Sequence, residues 1–305
     1  MGRRERNGWL AGNLAAVIRN LKLVFAAGLA AWSTLAFGWY DSGHMVIAAI
    51  AYARLKPAAK AEADRLLRIG GTDRTGDFIT AACWADDIRR DRRETGPWHY
   101  IDIHFRQDGK PDNNQPDAEN VVWAIHKFEK ILADRSAPDA DRADALRFIL
   151  HFVGDVHQPL HATSRDTDAM PNGDAGGNRF RIEPPDLLVG EPRPPHNLHA
   201  LWDQACGFLP SGGLNRPLSD SGIQEVRQLA QQVQEAYPLP TLPQAKNLDP
   251  MTWANESFAQ DERFVYTLPD GSKPTEAYIR EGQEISKKRL ALAGYRLAEL
   301  LNKLL

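Results

Sequence analysis

The densest chemistry in the sequence lies in His151-Phe-Val-Gly-Asp155-Val-His157-Gln-Pro-Leu-His161. On a helix, His151 and Asp155 stand at i and i+4 and project from one face. Pro159 ends that helix and lets His161 turn back toward the same face. A second pair at the same spacing, His199 and Asp203, sits in Asn-Leu-His-Ala-Leu-Trp-Asp at 197–203, with Asn197 placed as the N-cap. Imidazole nitrogens and carboxylate oxygens are the donors that Zn²⁺ takes at about 2.0–2.2 Å. Gathered this densely, they are costly to bury unless a cation neutralises them. A surface His–Asp contact would explain either pair alone; two pairs and His161 on one chain argue for metal. The remaining histidines carry weaker signals. His157 faces away from the pair and is expected to be a structural hydrogen-bonder. His104 and His126 are expected in solvent, and His196 has no identifiable partner.

The elements that must position these residues are mostly helical. Residues 43–55 form an Ala-rich apolar stretch, and Pro57 opens a second helix to about 69, closed by Gly70-Gly71. Asn120 caps a helix with Val121, Ile125, Phe128 and Leu132 on one face. An apolar helix over 139–158 carries the first motif. Residues 221–236 place Ile223, Val226, Leu229 and Val233 at helical spacing, and a long helix runs from Thr275 to the end. Turn-rich loops fall at 106–118, 164–177, 183–196 and 209–218. Strands are expected only at 98–105 and 178–183. The fold class expected is therefore mainly α: one helical domain with a few short strands.

At 305 residues, 43% hydrophobic and 25% charged, the chain is neither disordered, collagenous nor a coiled coil. Two cysteines, Cys83 and Cys206, allow one disulfide or two buried thiols. Residues 1–38 combine Arg3, Arg4, Arg6, Arg19 and Lys22 with an apolar run at 23–37 and small residues at 36 and 38. This reads as a signal peptide cleaved before Trp39, the alternative being an uncleaved anchor. The expected product is an exported protein, periplasmic or extracellular, with no stable membrane association and one domain at 39–305. Removing the leader's five bases and one acid lowers the net charge from −3 to −7. A nucleic-acid binder that works by counterion release should be basic. If this chain acts on phosphates, something other than Lys and Arg must supply the positive charge.

The motifs together resemble the zinc-dependent, single-strand-specific nucleases, the S-one/P-one (S1/P1) nuclease family, which includes plant bifunctional nucleases. The resemblance runs from WYDSGH at 39–44 through WADDIR at 84–89, WHYIDI at 98–103, HFVGDVHQPLH, GGNRF at 176–180 and NLHALWD to WANES at 253–257 and AGYRLAELLN at 293–302. It implies the helical phospholipase C/P1 nuclease-like fold and three Zn²⁺; a monomer is expected, though nothing in the sequence speaks to the oligomeric state. One zinc would take Asp86, His99, His151 and Asp155; a second, His161, His199 and Asp203. The third would take the α-amine and carbonyl of Trp39 with His44 and a shared Asp155, which gives cleavage before Trp39 a chemical purpose. A metal-bridging hydroxide would attack phosphorus and leave a 5′-phosphate. The resemblance also implies catalytic roles for Asp86, Arg89 and Asp155. Arg89 steadies Asp86 and the phosphate, and Asn178 bonds substrate. Tyr100, where the family usually has Phe, stacks an unpaired base and Asp102 bonds its edge. The substrates implied are single-stranded DNA and RNA, and 3′-nucleotides. Two alternatives stand beside this reading. One is a zinc-dependent phospholipase C, which typically has Glu at the position of Asp203 and lacks the HYID pattern. The other is an exported zinc protein without activity.

Overall fold

The protein is described by a computed structural model that covers residues 39–210 and 214–305; the proposed leader lies outside the described residues. Helices dominate, as expected. Helix α1 (Asp41–Tyr52) is buried along most of its length, and Pro57 opens α2 (Pro57–Leu67). A short α3 (Trp84–Ile88) precedes α4 (Val121–Ala133), whose first free N–H groups bond the Asn120 side chain. Helix α5 (Asp139–Asp155) is buried on every side from Ala145 onward. Such an all-round apolar helix can only be the centre of the bundle. Asn197 caps α6 (Leu198–Asp203), and Ser219 caps α7 (Asp220–Ala236). Thr275 caps the last helix, α9 (Glu276–Leu304). Close packing of α9 on α1 depends on Gly294, where a Cβ would lie 2.6 Å from Ile50.

Helix α8 (Pro250–Arg263) has no counterpart among the expected helices. Asp249 caps it and Pro250 fills its first position, but its buried face mixes Trp253 and Ala254 with Ser257 and Asp261. Apolar periodicity therefore misses it. That polar face has a function in the fold. Arg289 and Arg296 of α9 are buried, and both reach Glu256, at 2.9 and 2.7 Å. Ser257 donates to the Val156 carbonyl and accepts from Arg289. His157 donates Nδ1–H to the Val153 carbonyl and accepts from Arg296 at Nε2, as a structural hydrogen-bonder should. The network ties α8 and α9 to the end of α5, where the first motif sits.

Both strand expectations need correction. The stretch 98–105 is a strand only at β1 (Ile103–Phe105); Arg93–His99 instead winds as a 3₁₀ segment containing Pro97, which lacks an N–H for a ladder. Burial alternates after the 3₁₀ segment without a strand, with His99 and Ile101 buried and Tyr100 and Asp102 half-buried. Residues 178–183 form one isolated bridge, Arg181 to Asn197. The partner of β1 is β2 (Thr163–Arg165), which overlaps the start of the loop expected at 164–177, and the pair is parallel with His104 opposite Ser164.

Replacing Glu256 with Ala leaves two buried guanidinium groups without their carboxylate. Breaking a buried pair in this way costs about 3–5 kcal/mol. Denaturant unfolding of the Glu256→Ala protein should show a loss of that size; an unchanged midpoint would remove the network from the fold's support.

Candidate metal centre

Helix α5 ends at Asp155, and its last turn presents His151 and Asp155 to a buried space at the bundle's centre. Both are fully buried, and so are His44 of α1 and His99 of the 3₁₀ segment. Each carboxylate oxygen of Asp155 faces a different set of imidazoles. Oδ2 lies 3.0 Å from His99 and 3.2 Å from His151. Oδ1 lies 3.4 Å from His44 and 3.8 Å from His161. Asp86 of α3 approaches His99 and His151, at 3.7 Å each. His161 and His199 meet ring nitrogen to ring nitrogen at 3.2 Å, with Asp203 at 3.6 Å from His199.

Outside this space, backbone carbonyls fix the rings. Nδ1 of His151 donates to Ala82, that of His161 to His99, and that of His199 to Gly176. A carbonyl can only accept, so each Nδ1 carries the proton and each Nε2 turns a lone pair inward. Metal-binding histidines are oriented in this way by an outer hydrogen bond. Both ring nitrogens of His44, Nε2 of His99, Oδ1 of Asp86 and Oδ1 of Asp155 are buried without a hydrogen-bond partner. A tetrahedral ion with 2.0–2.1 Å bonds holds its ligands about 3.3 Å apart, and most of the separations above lie near that value. The groups His99–His151–Asp155, His44–Asp86–His151 and His161–His199–Asp203 each bring their donor atoms within 4.8 Å. The donor set therefore fits divalent metal ions.

Electrostatics show the same deficit of positive charge. Burial lowers the His151 imidazole, yet Asp155 and Asp86 overcome this and push it up to about 9. Burial takes His99 down to about 3. Asp203 is raised well above the carboxylate range by burial, although Gln158 donates to it at 2.7 Å. Gln158 also accepts from the Leu160 N–H, so it joins the turn that carries His161 to Asp203.

Trp39 is buried beside this centre. Its indole donates to the Gly154 carbonyl at 3.1 Å, and the Tyr40 N–H bonds the Asp203 carbonyl at 3.2 Å. Gly154, within the first motif, leaves room for His44: a Cβ there would meet His44 Nδ1 at 2.7 Å. Arg89 is buried one turn beyond Asp86 and donates to the Gly96 carbonyl. Tyr100 and Asp102 follow His99 and are half-buried, and burial raises the Asp102 carboxyl to about 6. Gly176 and Gly177 both have positive φ, which places the Gly176 carbonyl on His199. Asn178 follows them half-buried, with one side-chain N–H given to the Ala175 carbonyl.

His126 is exposed, as expected. His104 is not in solvent; it pairs with Asp166 at 3.0 Å. His196 is exposed, and its carbonyl accepts from the Ile182 N–H. Cys83 and Cys206 are buried free thiols, Cys206 pressed against Gly282 of α9. The sequence reading missed Gln158 and the carbonyls of Ala82, His99 and Gly176. Gln158 has a faint signal, lying between the motif's last helical turn and Pro159; backbone acceptors have none.

Known proteins are similar to this chain over most of its length. Residues 39–305 match the family model described as S1/P1 nuclease. Nuclease S1 of Aspergillus oryzae is 27% identical over 92% of this chain and 96% of its own length. Nuclease P1 of Penicillium citrinum is 26% identical over 87% and 97%, and Endonuclease 2 of Arabidopsis thaliana 25% over 88% and 90%. A family match across the whole stretch that builds the histidine and aspartate centre places the chain in the S1/P1 nuclease family, hydrolases of nucleic-acid phosphodiester bonds.

Proposed function

We propose that this chain is an exported zinc-dependent nuclease that cleaves single-stranded DNA and RNA to 5′-phosphate products and also acts on 3′-nucleotides. The observation that carries the reading is the split of Asp155, one oxygen toward His99 and His151 and the other toward His44 and His161. A carboxylate so placed can bridge two cations. Asp86, His99, His151 and Asp155 would hold one zinc, and His161, His199 and Asp203 a second. Trp39, His44 and Asp155 would hold a third. Bound zinc would supply Lewis-acid charge for the phosphate and a lowered pKa for water.

The chain's own residues do the rest. Arg89, buried beside Asp86, offers a cation to the phosphate and holds Asp86 in place. Asn178 offers its remaining side-chain N–H to substrate at the rim that carries His199. Tyr100 presents a ring for stacking, and Asp102 accepts from a base edge. Stacking needs a base outside a duplex, which is the source of single-strand preference. Positive charge concentrated at the centre would also let a chain of net −7, once the five bases and one acid of the leader are gone, bind a polyanion.

The function is tested on four substrates side by side: single-stranded DNA, RNA, a 3′-mononucleotide and lecithin. The first three should be hydrolysed with 5′-phosphate ends on the polymers, and lecithin left intact; turnover of lecithin alone would favour a phospholipase. In the same assay Tyr100→Ala should weaken nucleotide binding by about 1–3 kcal/mol, with far less effect on a phosphodiester that has no base. Equal losses on both would make Tyr100 a support of the fold.

The proposed third zinc site needs a free amine on Trp39. A residue added before Trp39 turns that amine into an amide, which is a poor donor. One zinc should then be lost and the rate should fall by orders of magnitude, and removal of the extension should restore both. Full activity and undiminished zinc with the extension in place would mean that Trp39 is not a ligand.

A further inference from the structure

A second group of metal-type donors lies outside the centre, between the segments that follow β1 and β2. His104 Nδ1 stands 3.0 and 3.1 Å from the two oxygens of Asp166, which is 2% exposed. Asp112 comes from the loop at 106–118, and its donor oxygen falls within 4.8 Å of those of His104 and Asp166. Its Oδ1 accepts the Asn114 N–H, but Oδ2 is buried with no partner. Two carboxylates and one imidazole therefore converge, Asp166 buried and the other two partly so.

An independent observation points into the same space. Ser164 is 1% exposed and its hydroxyl has no hydrogen-bond partner. The parallel register sets Ser164 opposite His104, so the two side chains share a face, and Asp166 is two residues on, on that face again. Gly173 closes the group from the loop side. A Cβ there would meet Ser164 Oγ at 1.9 Å and Asp166 Oδ1 at 3.1 Å, so no other residue fits. A buried hydroxyl without a partner therefore shares a face with an imidazole and a carboxylate, beside the orphaned oxygen of Asp112.

We propose that His104, Asp112 and Asp166, with the Ser164 hydroxyl, form a further divalent-cation site that fastens the loop at 106–118 to the segment at 164–177. One imidazole among carboxylates suits zinc or manganese rather than calcium, which takes oxygen ligands. The Asn114 amide already donates to Asp166 Oδ2 at 2.6 Å, so the unmet acceptors that the cation would satisfy are Asp112 Oδ2 and Ser164 Oγ. Arg106 and Lys110 already pair with Asp168 across the same two segments, so the site reinforces an existing seam. Asp102 senses the charges of both His104 and Asp166, so the site also borders the residue proposed to bond the base.

The test is a metal count on the mature protein, dialysed first against zinc and then against manganese, for the wild type, His104→Gln and Asp112→Asn. Each variant should hold one equivalent less than the wild type, in zinc or in manganese, and keep the rest. Limited proteolysis within 106–118 should speed up in the variants and in wild type stripped of that one equivalent. Identical content of both metals in all three proteins would overturn the site. Retention of the other metals shows that a variant has folded. Failure of the catalytic-centre reading has a different signature, the same shortfall in all three proteins.

Discussion

Asp155 is the constraint around which the molecule is arranged. A carboxylate at 0% exposure, at the end of a helix buried on every side from Ala145 onward, has no water to solvate it and no Lys or Arg beside it. It is surrounded instead by the rings of His44, His99, His151 and His161; the Ala82 carbonyl fixes the proton on Nδ1 of His151, so the nitrogen that the neutral His151 ring turns toward Asp155 is an acceptor. Acceptors facing a carboxylate in a low-dielectric space repel it. The arrangement is stable only with added positive charge, and without metal a proton on His151 is the nearest substitute. Family membership, the distances and the orphaned atoms agree on metal as the intended charge.

The regular helices build the cage, and the irregular segments place the ligands. Helix α5 supplies His151 and Asp155 because four residues bring them to one face. The carbonyls that set the rings come from elsewhere: Ala82 from a 3₁₀ turn, His99 from the segment broken at Pro97, Gly176 from a left-handed turn. Tight approach is permitted at Gly154, where His44 passes over the helix and stacks on His151 at 3.9 Å. On the opposite side of α5, the Glu256–Arg289–Arg296 network holds the helix end in place without touching the centre. Stability and chemistry thus meet at one helix terminus.

Where a local pattern determines structure, the amino-acid sequence was legible. Asn120, Asn197 and Thr275 cap helices as their side chains predict, because capping needs only a neighbour two or three residues on. The i, i+4 pairs were legible for the same reason. Helix α8 was not, since its buried face is polar and its partners lie on α9, more than 30 residues away. The strand at 98–105 misled because burial alternates over 99–102 in an extended stretch that pairs with no strand. His104 was expected in solvent because Asp112 and Asp166, which bury it, are joined to it only by the fold.

The central claim is that metal ions satisfy the buried histidines and carboxylates around Asp155 and thereby make the nuclease. Measuring unfolding temperature and single-strand nuclease rate on one preparation, before chelation, after exhaustive chelation and after zinc is returned, tests it directly. Ligands that bind only the native state stabilise it by mass action, about 4 kcal/mol when present at about 1,000 times the dissociation constant. The account predicts that chelation lowers the unfolding temperature, abolishes the rate, and that zinc restores both. A metal-free protein that unfolds at the same temperature and cleaves single strands at the same rate would contradict it.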